Sequence, residues 1–450
     1  SKARIDSDRA PGRARSRAGL ALAATLALAG PAAAQAVSDG AVRIGILNDQ
    51  SGVYAEFGGR SSIEAARMAV EDFGGTVLGA PIELVSADHQ NKPDIASGIA
   101  RQWYDRDKVD AIMELTTSSV ALAVQGLSKE KKKITITTGA ATSDLTGKLC
   151  TPYGYHWAYD TRALAVGTGG ALVQQGGNTW FMLTADYAFG HSLEAEVTRY
   201  VTSKGGKIVG GVRHPLAAQD YSSFLLQAQG SGAKVIGLAN AGLDTANSIK
   251  QAAEYGITEG GQRLAALLFT LAEVHGLGLK VAQGLTLTEG WYWDLNDETR
   301  AFGQRFMKRT GKMPNMIHTG TYSAVLQYLK AVKAAGTDET EAVNEKLHQL
   351  PVDDVFARGG KVLANGRMVH DMYLFEVKKP ADSKGEWEPA AASGPRRASS
   401  SRRLERLDDG VEGGLGARPV RAAGLGHVAA PAAALAAEMA GPGPHQADAS

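Results

Sequence analysis

The chain has a single cysteine, Cys150, among 450 residues, which excludes an intramolecular disulfide and any cysteine-based zinc cluster. An excess of charge of one sign is also missing. Lys and Arg number 48 against 47 Asp and Glu, for a net charge of +1, so nothing points to nucleic acid or an anionic membrane as a partner. The ten histidines never form an H-E-x-x-H pair, and no metal ligand is assigned. "GTGGAL" (167–172) lacks the third glycine of a dinucleotide fingerprint, and "LTGKL" (145–149) lacks the earlier glycine of a phosphate loop. "GHSLE" (190–194) lacks the last glycine of a nucleophile elbow, and "SKEK" (128–131) matches Ser-x-x-Lys only at the polar end of a helical pattern. No pattern assembles a nucleophile, a base and an orienting group. The expectation is a protein that is not an enzyme, with no catalytic residue and no cofactor.

Long hydrophobic runs are absent as well. The most apolar stretch, Leu20 to Ala29, is too short for the ~20 residues that span a bilayer. It follows Arg13, Arg15 and Arg17 and precedes "GPAAAQA" (30–36). A basic segment, a short apolar segment and an A-x-A end predict a secretory signal, cleaved after Ala34 or Ala36, and a mature protein in the periplasm.

What is present is alternation. "VRIGIL" (42–47), "PIELVSAD" (81–88), "VDAIMEL" (109–115) and "KITITTG" (133–139) read as strands. Helical patterns separate them at 61–73, 94–106 and 120–132. A second series has a helix through about Gln175, strands at 178–186, 207–216, 233–241 and 263–269, and helices at 191–205, 221–232 and 243–256. Two such runs predict two doubly wound α/β lobes, with ligands outside the carboxyl ends of the strands. "KVLANGRMVHDMYLFEVKK" (361–379) reads as a hairpin about an "ANG" turn. Residues 389–450 contain no Lys, Ile, Phe, Tyr, Trp, Asn or Thr, so this segment is expected to be disordered. Its composition fits an out-of-frame reading of a GC-rich gene or a natural low-complexity tail.

Five polar or aromatic clusters follow strands: "DQSGVYAEFGG" (49–59), "TTSS" (116–119), "TTGAATSDLTG" (137–147), "DYAFG" (186–190) and "NAGLD" (240–244). All sit at C-terminal strand ends, which converge on one crevice in such sheets. Asn240 and Asp244 join the candidate ligand-binding residues on that ground. "TTSS" offers more hydroxyls than one helix cap needs, at a helix N-terminus suited to an anion.

The stretch "VRIGILNDQSGVYAEFGGRSSIEAARMAVEDFGGTVLGAPIELVSAD" resembles the opening of periplasmic binding proteins of the branched-chain amino acid type. "TTSSVALAV", "TTGAATSDLTG" and "TADYAFGHSL" resemble later segments of that family in the same order, and the likeness runs from about Ala41 to Lys379. "HWAYDTRALA" and "GWYWDLNDETRAF" resemble a branch that carries aromatic and other organic acids.

The resemblance implies two hinged lobes that close on a small solute for delivery to an ABC permease, with a monomeric chain. It implies lobes of 41–160 plus about 288–352, and 161–287 plus about 353–388. It also implies roles for residues: Ser118, flanked by Thr117 and Ser119, on the ligand carboxylate; Ala140 through its backbone; Thr142 through its hydroxyl; Phe57, Tyr187 and Phe189 as aromatic walls. Where amino-acid carriers of the family place an acid for the ammonium, this chain has Phe269 and Thr270 in "ALLFTLAEV" (266–274). Asp244 and Glu273 are the two candidates to stand in. The rival reading is a ligand-sensing receptor domain of the same fold.

Overall fold

The computed structural model describes residues 37–383 and a short strand at 401–403. The expected signal segment and the remainder of the 389–450 segment lie outside the described residues. Among the described residues no helix is long and apolar enough to cross a membrane.

The first lobe is built on a six-stranded sheet: β1 (Val42–Asn48), β2 (Thr76–Val77), β3 (Ala80–Asp88), β4 (Ala111–Glu114), β5 (Ile134–Thr137) and β6 (Gly154–His156), in the order β2-β3-β1-β4-β5-β6. All pairings are parallel except the short β2–β3 ladder. A parallel strand covered on both faces must be apolar on both, and β1 is. Ile44 and Ile46 join the core under the helices Gly59–Phe73 and Met316–Ala335. Leu47 faces the other way, toward Trp103, Val120 and Val124 of the helices Pro93–Asp105 and Ser118–Lys131. Pro93 starts its helix where a missing N–H costs nothing, and Gly74 ends the preceding one in the left-handed region (φ 107°).

The second lobe has a parallel sheet of β7 (Thr179–Ala185), β8 (Lys207–His214), β9 (Val235–Ala239) and β10 (Arg263–Ala266), ordered β10-β9-β7-β8. Along the central strand β7 both faces are again buried. Trp180 and Met182 pack with Val197 and Val201. Phe181 and Leu183 pack with Leu225 and Ile249 on the opposite side.

Three segments connect the lobes side by side. Trp157–Asp160 leaves β6 for the second lobe. After β11 (Thr286–Glu289), Gly290 leads back toward the first-lobe helix Met316–Ala335. The third segment follows a short hairpin of β12 (Lys361–Val362) and β13 (Met368–Val369), whose turn is closed by Gly366 N–H on Leu363 O. The expected 361–379 hairpin is thus confined to its first half. The rest forms β14 (Tyr373–Glu376), which pairs with β11 and with β15 (Ser401–Arg403).

Close packing joins the three segments. Arg367 bridges to His156, and His370 Nε2 bonds Ala158 O at 2.8 Å. A side chain at Gly290 would stand 2.8 Å from Ala158 O and the His370 ring. Arg367 and Asp160, 1% and 2% exposed in their side chains, form an ion pair at 2.9 Å in the middle of this hinge.

Candidate functional site

The carboxyl ends of both parallel sheets face one cleft. Its wall takes Tyr54, Phe57, Thr116, Ser118, Gly139 and Ala141 from the first lobe, Tyr159 from the hinge, and Tyr187, Phe189, Ala241 and Leu268 from the second. No lining residue carries a charge. The lobes touch directly: Tyr54 and Tyr187 share a hydroxyl–hydroxyl bond of 2.5 Å, and Leu243 N–H reaches Val53 O at 3.3 Å. Ser143 Oγ donates to Glu196 Oε1 at 3.0 Å. The space left for the centre of a water-sized sphere is about 10 Å³, the room that one water needs. A ring-sized solute therefore enters only when the lobes part.

Each wall has a local cause. The loop after β1 is folded around the Asp49 carboxylate, which accepts from Gly52 N (2.7 Å), Tyr54 N (2.9 Å) and Asn91 Nδ2 (2.7 Å). This collar carries Tyr54 and Phe57 to the cleft. Burial pushes the phenols of Tyr54, Tyr159 and Tyr187 upward, so all three stay protonated. The Tyr159 hydroxyl donates to Gly139 O at 2.5 Å.

Of the residues singled out in the sequence, Phe57, Ser118, Tyr187 and Phe189 line the cleft. Ser118 opens the helix Ser118–Lys131, and its Oγ accepts from Thr142 N at 3.2 Å. The others face elsewhere. Thr117 turns away and donates to Asn91 Oδ1. Ser119 is half-buried on the helix, outside the wall. The Ala140 carbonyl is held by His156 Nε2 at 2.8 Å. The Thr142 hydroxyl accepts from Asp144 N at 3.3 Å, at the start of a short 3-10 turn.

Asn240 locks the inside of the second lobe, donating to Ser248 Oγ (3.1 Å) and accepting from Thr245 Oγ1 (2.8 Å). Asp244 accepts from Ala217 N at 3.2 Å and has its carboxyl pushed up by burial. Glu273 caps its own short helix, accepting from Thr270 N at 2.8 Å, and burial pushes it up to about 7. Neither acid lines the cleft. The sequence reading missed Tyr54, Thr116, Gly139, Ala141, Tyr159, Ala241 and Leu268. Tyr54 and Tyr159 lay within segments already singled out, in "SGVYAEF" and "HWAYDTRALA".

A family model for periplasmic binding proteins matches residues 41–386. The chain belongs to that family. A periplasmic binding protein from Burkholderia mallei is 51% identical to it, with 77% of this chain and 92% of that one covered and a TM-score of 0.76. A branched-chain amino acid ABC transporter periplasmic ligand-binding protein from Burkholderia xenovorans is 43% identical, with the same coverage and a TM-score of 0.69. This periplasmic binding protein accordingly falls in the branched-chain amino acid type expected from its motifs. At 22% identity, a solute-binding protein of an ABC transporter from R. palustris, solved with benzoate, shares the fold with a TM-score of 0.69 over 75% of this chain and 94% of that one.

Proposed function

We propose that this chain is the exported solute-binding component of an ABC uptake system, and that its cleft takes a small aromatic or other organic acid by the carboxylate. The observation that carries this reading is the wall itself: five aromatic residues, one serine at a helix N-terminus and no acid. The carboxylate belongs at Ser118, where unpaired helix N–H groups and the helix dipole favour negative charge. The rings of Tyr54, Phe57, Tyr159, Tyr187 and Phe189 offer flat apolar faces for stacking. Leu268 lies in the second-lobe wall close to where an amino-acid carrier needs an acid, and a buried ammonium without a partner costs several kcal/mol. The benzoate complex of the R. palustris protein supports the fit of such acids to this fold. The captured solute passes to a permease in the membrane, with the carrier acting as a monomer.

Calorimetry with benzoate and with L-leucine tests the ligand. Benzoate is expected to bind, with leucine weak or silent. Tight leucine binding with no response to benzoate would overturn the preference for acids without an ammonium. Ser118→Ala should weaken binding by roughly 1–3 kcal/mol, the range for stranding a buried polar group. An unchanged affinity would remove Ser118 from the site.

A further inference from the structure

We propose that Glu114 is a positioning residue for anion capture: protonated, its buried carboxyl turns the Thr116 hydroxyl toward the cleft as a donor, and ionised, it withdraws that donor. This inference rests on the reading that the cleft takes a carboxylate.

Glu114 ends β4, and both it and Leu115 lie in the left-handed region, at φ 78° and 55°. Two consecutive non-glycine residues there are strained, and such strain gathers at functional sites. Its effect here is to tuck the Glu114 side chain under the cleft floor, fully buried. Oε2 lies 2.5 Å from Thr116 Oγ1, and Oε1 receives Ser62 Oγ at 3.4 Å. Two glycines make room for the group. A Cβ at Gly139 would stand 2.9 Å from Oε2, and one at Gly58 would land on Oε1. Thr116 and Gly139 are themselves cleft-lining, so one layer of atoms separates the carboxyl from a bound solute.

The titratable groups around Glu114 bring no positive charge. Asp49, just after β1, adds negative charge. Tyr159 is a protonated phenol in whose field Glu114 takes part. His318, on the helix behind Gly58, bonds Gly58 O at 3.2 Å and is pushed down to about 3 by burial, so it is neutral. Burial accordingly pushes Glu114 up to about 8.

The hydroxyl inventory does the rest. Thr116 has one hydrogen and accepts from Asp49 N at 3.4 Å. A protonated Glu114 donates to Thr116 Oγ1, which frees the threonine hydrogen for a carboxylate in the cleft. An ionised Glu114 claims that hydrogen, leaves only lone pairs facing the solute, and sets a negative charge behind it.

Titration calorimetry with benzoate and with L-leucine, between pH 6 and pH 9, tests the idea, since both probes carry a carboxylate. Wild-type affinity is expected to be flat below pH 7 and roughly tenfold weaker at pH 9 than at pH 7, with proton uptake on binding above pH 8. Glu114→Gln should flatten that profile, because an amide keeps a donor at every pH. Thr116→Val should lower affinity at pH 7 and shrink the pH dependence to the part that the Glu114 charge alone causes. A flat wild-type profile, or the same slope in Glu114→Gln, overturns the proposal. A Glu114-dependent slope with leucine and silence with benzoate would uphold it while the aromatic-acid reading fell. Binding of neither probe would end both.

Discussion

Asp160→Ala is expected to lower stability by about 3–5 kcal/mol, the cost of leaving a buried charge without its partner. Its side chain and that of Arg367 are almost entirely buried, and the two meet at 2.9 Å. The guanidinium has few other neighbours to turn to: Nη1 reaches His156 O at 3.2 Å and Trp157 O at 3.4 Å. Burial already presses the Arg367 pKa downward, with Asp160 opposing it. Flanking His156 and His370 are both pushed down to about 4 by burial, so they stay neutral and supply no counter-charge. Asp160 has a second duty, accepting from Ala163 N at 2.7 Å to cap the helix that opens the second lobe. Asp160→Ala should therefore cost more than Arg367→Met, which spares the cap. The double substitution should cost less than the sum of the two. Denaturant midpoints for the four proteins measure this directly, and additive losses would mean that the pair does not interact.

The sheets were legible because parallel strands buried on both faces leave continuous apolar runs. β6 was not: three residues, "GYH", carry no pattern, and their strand state comes from pairing with β5. After β4, β5 and β9 the residues singled out stand within one position of the cleft wall, whereas Tyr54 and Tyr159 were not singled out at all. Thr117 is extended at the N-cap, so Thr116 and Ser118 face the cleft while Thr117 does not, and after β5 Gly139 and Ala141 flank an Ala140 that packs on the other side. The position after a strand is readable from sequence, but the face needs the partner. Thr117 has Asn91, which sits in a tight turn at φ 58° and also holds Asp49. That chain of bonds is what fixes Tyr54, and no local pattern announces it. The four hydroxyls of "TTSS" divide accordingly: none is the side-chain cap that the simplest reading supplies, since the Thr117 N-cap makes no such bond.

Gly242→Ala should hold the lobes apart. Gly242 has φ +59°, a region that costs an alanine roughly 1–2 kcal/mol. Its added Cβ would also stand 2.5 Å from Val53 O and 2.9 Å from the Tyr54 ring, both on the opposite lobe. The backbone strain acts in open and closed forms alike, whereas the clash acts only on closure. The clash is therefore the part that shifts the equilibrium. It falls beside the Leu243 N–H to Val53 O bond and against the ring whose hydroxyl meets Tyr187, so relief at this point loosens every contact on that rim. Overpacking of this kind costs roughly 1–3 kcal/mol, and a shift of that size weakens a closure-dependent ligand about 5- to 150-fold. Small-angle scattering should give a larger radius of gyration for Gly242→Ala than for the parent protein, and Gly242→Val should exceed both. Tyr54→Phe, which removes the hydroxyl bond without adding bulk, should move the radius less. Equal radii for all four proteins would mean that the lobes in solution do not close through this glycine.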